Sequence, residues 1–385
     1  AERRLAAERR AQEAKEAEKR EKEAVWQKQL EIKLQAAARP TLRGLVVPAS
    51  RAQDLRREGE GRPASAGAAL RLRLSELAGV LSERYWGTAG RTAPHVLDDR
   101  IGRLSDGNLT VGYSAIWGLE VTEEPCGRRA VRLAREEVLA GGLVEVCPLL
   151  RAPAEADSRD QPLRSGALGR HAIWQPASAQ EVLLPLGFGS LYRQSAEAWN
   201  VAPSVSGDGD ELRWVAVVRL AAGDELVAPA GWQALAKGGP VGEDYPSSGH
   251  VEGPALGSTR HGPSPVHRFG VFSTCAAEAG EVLDVCPALH LPLAEAQLLE
   301  NYVMQFDLGK SEPTVALALG LGAVYNHRRW PQVDWLYDCE TDAVVFVARQ
   351  RIDPGEELFI DYGQVYFSSR GVTPSCRLAD VVWRD

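Results

Sequence analysis

The chain has 385 residues, 44% of them hydrophobic, with a formal net charge of −8 and a sequence pI of about 5.6. That is enough chain for two domains of ordinary size plus tails, and enough apolar content for a real core. The acidic balance argues against general nucleic-acid affinity, and no apolar run approaches the roughly 20 residues of a membrane span.

Six cysteines (Cys126, Cys147, Cys275, Cys286, Cys339 and Cys376) form no Cys-x-x-Cys pair. This spacing speaks against a metal site and for a reduced compartment. No signal-peptide pattern follows Ala1. An intracellular location, cytoplasmic or nuclear, is the expectation.

Residues 1–38 are rich in Ala, Glu, Lys, Arg and Gln, with no Pro before Pro40, and predict a charged, solvated helix. Glu16 with Arg20 and Glu18 with Lys22 stand at i,i+4 in the favourable orientation. Such a helix could meet a protein partner or a coiled coil, although Leu5, Val25, Trp26, Leu30, Ile32 and Leu34 make no sustained heptad seam. Residues 39–109 read as a linker, flexible over Glu58–Pro63, with one helix fitting Ala68–Arg84.

The next two stretches match each other. Ala140-Gly141-Gly142-Leu143-Val144-Glu145-Val146-Cys147-Pro148 aligns without a gap on Ala279-Gly280-Glu281-Val282-Leu283-Asp284-Val285-Cys286-Pro287. Leu186 to Tyr192 aligns on Leu319 to Tyr325, and Gly223-Asp224-Glu225-Leu226 on Gly355-Glu356-Glu357-Leu358. Three matches in order predict a duplicated domain over 110–235 and 259–385. The Gly-, Pro- and Ser-rich residues 236–258 would link the copies. The polar positions differ. Where the second copy has Asn326-His327 and Asp361-Tyr362, the first has Arg193-Gln194 and Pro229-Ala230. The first copy therefore reads as degenerate.

Within 259–385, a short helix is expected over Pro292–Tyr302, between strands. Further on, a Gly-x-Gly turn leads into Tyr325-Asn326-His327, and Ala343–Ala348 is a continuous apolar strand. Asp353-Pro354-Gly355-Glu356 makes a turn, and Glu357–Ile360 is a short strand ending on Asp361-Tyr362-Gly363.

These residues carry a resemblance. Asn326-His327-x-x-x-Pro331, followed by Gly355-Glu356-Glu357-Leu358-x-x-Asp361-Tyr362-Gly363, resembles the SET-domain protein-lysine methyltransferases. Ser264-Pro265-Val266-His267-Arg268-Phe269-Gly270-Val271-Phe272 resembles that family's opening motif, and the strands around Val282 and Cys286 its next block. Four blocks in order span about 100 residues. The resemblance implies a mostly β fold of small curled sheets, with a threaded, pseudoknot-like C-terminal segment. It also implies S-adenosyl-L-methionine as cofactor and a protein substrate carrying a target lysine. His267, Arg268, Phe269, Gly270, Asn326 and His327 would hold the cofactor. Tyr362 would be catalytic, and Tyr302 and Tyr325 would line the lysine channel.

The chemistry asks for little covalent work. Attack on a sulfonium methyl needs a neutral amine, and an unperturbed lysine has a pKa of about 10.4. An apolar channel favours the neutral form, and a phenol hydroxyl can orient it. Each residue has a plainer role beside this one. Tyr362 could end a strand, Asn326 could shape a turn, His327 could be packed, and Tyr302 and Tyr325 could be core.

Departures from the pattern stand out. Arg268 replaces a glycine, Gln332 an asparagine and Arg328 a small polar residue, and a cysteine-rich tail is missing. Closure of the site would fall to Tyr366, Phe367 or Trp383. A non-catalytic interaction or scaffold protein is the alternative reading, which Arg268 favours.

Overall fold

A computed structural model describes residues 45–47, 109–114, 117–124, 126–134, 137–153, 171, 173–174, 181–206, 210–231, 259–292, 296, 299, 302–306, 314–339, 341–363 and 366. The expected helices at 1–38 and 68–84, the linker 236–258, Cys376, Phe367 and Trp383 lie outside the described residues. Of the expected helix Pro292–Tyr302, only 292, 296, 299 and 302 are described, with Ala296 N–H donating to the Pro292 carbonyl at 2.9 Å.

The described residues are mostly strand. Upstream lie β1 (Leu45–Val47), β2 (Leu109–Ser114), β3 (Leu119–Glu123), β4 (Arg129–Leu133), β5 (Glu137–Val138), β6 (Leu143–Pro153), β7 (Ile173–Trp174), β8 (Glu181–Pro185), β9 (Arg193–Ser195), β10 (Val201–Val205), β11 (Glu211–Ala216), β12 (Leu220–Ala221) and β13 (Val227–Pro229). Downstream lie β14 (Thr259–Pro263), β15 (Phe269–Ser273), β16 (Val282–His290), β17 (Val303–Phe306), β18 (Thr314–Ala318), β19 (Asn326–His327), β20 (Val333–Asp338), β21 (Ala343–Ala348) and β22 (Glu357–Ile360).

Short 3-10 turns at Phe188–Leu191 and Gly322–Val324 precede β9 and β19. The expected strands at 343–348 and 357–360 form with those bounds. Gly355 takes φ of 83° in the turn between them, a conformation glycine adopts without a Cβ penalty.

Some strand pairs of residues 119–229 have the same orientation as pairs of residues 259–360. β3 pairs β4 with Leu119 opposite Leu133, and β14 pairs β15 with Thr259 opposite Ser273. β11 pairs β6 with Trp214 opposite Glu145, and β21 pairs β16 with Phe346 opposite Asp284. β9 runs parallel to β13 with Arg193 opposite Val227, and β19 parallel to β22 with Asn326 opposite Phe359. The isolated bridge Arg132–Glu225 stands where β15 pairs β22 through Phe272 and Glu357.

In each half a buried acid accepts from a tyrosine hydroxyl. Glu145 accepts from the Tyr192 hydroxyl at 3.1 Å and from the Phe188 and Gly189 N–H groups. Asp284 accepts from the Tyr325 hydroxyl at 2.6 Å and from Thr259 at 2.9 Å. Cys147 and Cys286 are buried at matching strand positions.

The halves share a core and a sheet. β2 pairs both β3 and β16, so the β3–β4 hairpin continues the sheet that holds β16, β21 and β20. β21 is buried along its whole length, which explains its unbroken run of Val and Phe. Gly320 N–H donates to the Leu186 carbonyl at 2.6 Å. Arg129 donates to the Ala288 carbonyl and to Asp342 across the same interface.

Candidate functional site

Asn326 is the centre of a polar cradle. It is buried at the start of β19, and its Nδ2 donates to Ser264 Oγ (3.0 Å), the Phe269 carbonyl (2.9 Å) and Glu357 Oε1 (2.9 Å). Ser264 in turn donates to Glu357 Oε1 at 2.7 Å and accepts from Val266 N–H.

Three motif blocks distant in sequence thus meet because β22 lies between β15 and β19 in one four-stranded sheet. Gly270 is required by this closeness. A Cβ there would overlap the Glu357 carboxylate and stand 3.1 Å from Asn326 Nδ2. Gln332 donates to the Glu357 carbonyl at 2.6 Å and accepts from Phe359 N–H at 3.3 Å.

Tyr362 sits just past β22. Its backbone N–H donates to His327 Nδ1 at 3.2 Å, and its hydroxyl donates to the Tyr325 carbonyl at 2.7 Å. The Tyr366 ring meets it edge-on, with centroids 4.6 Å apart. Burial, reinforced by the neighbouring Tyr366, pushes the Tyr362 phenol well above its usual range. The group is therefore a hydrogen-bond donor and not a base at neutral pH.

A small cleft, open to solvent, joins these parts. His267, Arg268, Phe269, Tyr302, Ala323, Val324, Asn326 and Tyr362 line it from the downstream half, and Pro148, Leu149, Leu150 and Leu186 from the upstream half. Tyr302 faces His267 at 6.4 Å between centroids, and burial raises its pKa.

Tyr325 stands elsewhere. It is 1% exposed, stacked on Phe346 at 4.4 Å, with its hydroxyl on Asp284. It meets Tyr362 only through its backbone. Asp342 is the one non-glycine residue with positive φ among the described residues, so Arg268 fits its turn without backbone strain.

The upstream half fills the matching place differently. Glu225, the counterpart of Glu357, binds Arg128 (2.7 Å) and Arg193 (3.2 Å), and Arg128 also reaches Glu124 at 2.8 Å.

Sequence reasoning gave no role to Ser264, Glu357 or Asp284, although the first two lie inside the quoted motifs. Nothing local marked Leu149 or Leu150.

Residues 268–363 match the family model of the SET domain. Among named proteins, the chain is similar to "Histone-lysine N-methyltransferase, H3 lysine-37 specific" of Schizosaccharomyces pombe, at 31% identity over 96 residues. That match covers 24% of this chain, and the chain spans 65% of the relative's length. A crystal structure assigned to a histone methyltransferase of Plasmodium falciparum is also similar, at 20% identity and a TM-score of 0.23, over 30% of this chain and 93% of that one.

Proposed function

We propose that the downstream half transfers a methyl group from S-adenosyl-L-methionine to the ε-amine of a protein lysine. The observation that carries this reading is the meeting of Tyr362 with His267, Phe269 and Asn326 on one cleft inside the SET domain. The Schizosaccharomyces pombe relative, named as a histone-lysine methyltransferase, supports the same substrate class.

The residues present fit the cofactor. Gly270 leaves the backbone of β15 bare beside Asn326, and Asn326 is pre-aligned by three acceptors. His267, Arg268, Phe269, Gly270, Asn326 and His327 would hold it, and when bound it supplies an electrophilic methyl.

The chain's own groups do the positioning. Phe269, Val324 and Ala323, with Leu149, Leu150 and Leu186, form apolar walls that favour the neutral amine. The Tyr362 hydroxyl is held at the cleft by the Tyr325 carbonyl and orients the incoming group. Tyr302 lines the same cleft, and Tyr366 packs edge-on against Tyr362.

Residues 110–235 are read as a second, degenerate copy of the same domain. The strand pairs of the same orientation and the paired Glu145–Tyr192 and Asp284–Tyr325 contacts support this.

The test is a methylation assay with labelled cofactor on purified core histones and on whole-cell extract, beside calorimetric titration of cofactor. Label on a lysine supports the reading. A folded protein that neither binds cofactor nor transfers label is the non-catalytic alternative.

A further inference from the structure

Arg268 places a cation on the rim of the cleft, where the family motif carries glycine. The structure shows what answers that charge. Arg268 pairs with Asp210, which belongs to the upstream half, and its guanidinium carbon lies 6.0 Å from the Phe269 ring centroid.

Asp210 is well anchored for this. Its backbone carbonyl accepts from Leu149 N–H at 2.8 Å, and Leu149 is itself a wall of the cleft. Beside it, Ser206 N–H donates to the Glu211 carbonyl and Glu211 N–H to Ser206 Oγ, each at 2.9 Å. Glu211 then meets His261 at 3.2 Å on β14. Asp210 and Glu211 of the upstream half thus present two acids to the β14–β15 hairpin.

Arg128, at the position matching Arg268, is neutralised within its own half by Glu124 and Glu225. In the downstream half Glu357 is committed to Asn326 and Ser264, and Ser264 replaces the second acid. Arg268 has its carboxylate partner in Asp210 instead.

We propose that Asp210 is a positioning residue for the cofactor cleft. It holds Arg268 at the rim and cancels its charge, so that the cleft admits a cationic sulfonium ligand. The upstream half thereby completes a site it does not itself contain. This rests on the cofactor reading above. Freed of Asp210, a guanidinium beside the cleft repels a sulfonium but not the uncharged thioether of S-adenosylhomocysteine.

The experiment titrates full-length protein with both ligands by calorimetry. Asp210→Asn keeps the side chain's size and the backbone bond to Leu149 and removes only the charge. The ion pair is partly exposed, so weakening of S-adenosylmethionine binding should be modest, about fivefold, with S-adenosylhomocysteine nearly unchanged. The double variant Asp210→Asn/Arg268→Gln should return the ratio of the two affinities to the wild-type value.

An unchanged ratio in Asp210→Asn overturns the proposal, as does equal loss for both ligands or a double variant that fails to restore the ratio. Wild-type protein that binds neither ligand overturns the cofactor reading itself, and this proposal with it. That failure shows in the wild type alone.

Discussion

The Tyr362 hydroxyl donates to the backbone carbonyl of Tyr325 at 2.7 Å, while the Tyr325 side chain points the other way, to Asp284. One tyrosine thus holds the other by its main chain. The residue at the cleft is aimed by a residue whose ring is locked in the core, and position is fixed without a flexible partner.

Tyr362→Phe removes that donor and keeps the ring. Methyl transfer in single turnover should fall by about 10²–10³, the usual loss for one well-placed hydrogen-bonding group of a site. Stability should drop by only about 1 kcal/mol for the lost hydrogen bond, and cofactor titration should be little changed. An unaltered rate would mean that Tyr362 only ends its strand.

Gly270→Ala should damage both fold and binding. The added Cβ meets the Glu357 carboxylate and crowds Asn326, and overpacking of this kind costs roughly 1–3 kcal/mol. Denaturant melts should show that loss, and calorimetry should show weakened cofactor binding. Alanine tolerated on both counts would contradict the described cradle.

Asp284 is pushed up to about 6 by burial, against the opposing hydrogen bonds of Tyr325 and Thr259. Its folded pKa exceeds the unfolded value of about 3.9, so the stability it gives is full below pH 4 and is lost as pH rises through about 6. Above that, the buried carboxylate costs on the order of 3 kcal/mol. The stability of Asp284→Asn relative to wild type should therefore improve by roughly that amount between pH 4 and pH 8. Chemical denaturation at both pH values measures it, and a difference independent of pH would sink the assignment.

Asp342 ties the halves. It binds Arg129 at 2.5 Å, His290 at 2.6 Å and the Tyr337 hydroxyl at 2.5 Å, with φ of 50°. Asp342→Ala loses all three contacts and puts a less tolerant residue at positive φ, for about 1–3 kcal/mol. Asp342→Asn keeps the conformational tolerance and part of the bonding and should fall between alanine and wild type. Thermal melts of the three proteins give the order, and an alanine variant as stable as wild type would show the tie to be idle.

Much of the downstream half was legible because its signals are local. Gly355 marks its turn, the apolar run 343–348 marks a strand covered on both faces, and the motif residues flank short strands. The expected pairing of Tyr302 with Tyr325 was less legible. Both are tyrosines near the motifs, and only packing separates the one on the cleft from the one stacked on Phe346.

The amino-acid sequence by itself determined the strands, the turns, the order of motif blocks and the internal match, since propensity, glycine and period act over a few residues. Only the tertiary structure decided that Ser264, Asn326 and Glu357 share one hydrogen-bond network, and that Asp210 and Leu149 of the upstream half reach the downstream cleft. Those contacts depend on the register of β15, β19 and β22 and on how two halves share a core. Register and docking are set by burial summed over the whole molecule, and no short stretch of sequence carries that sum.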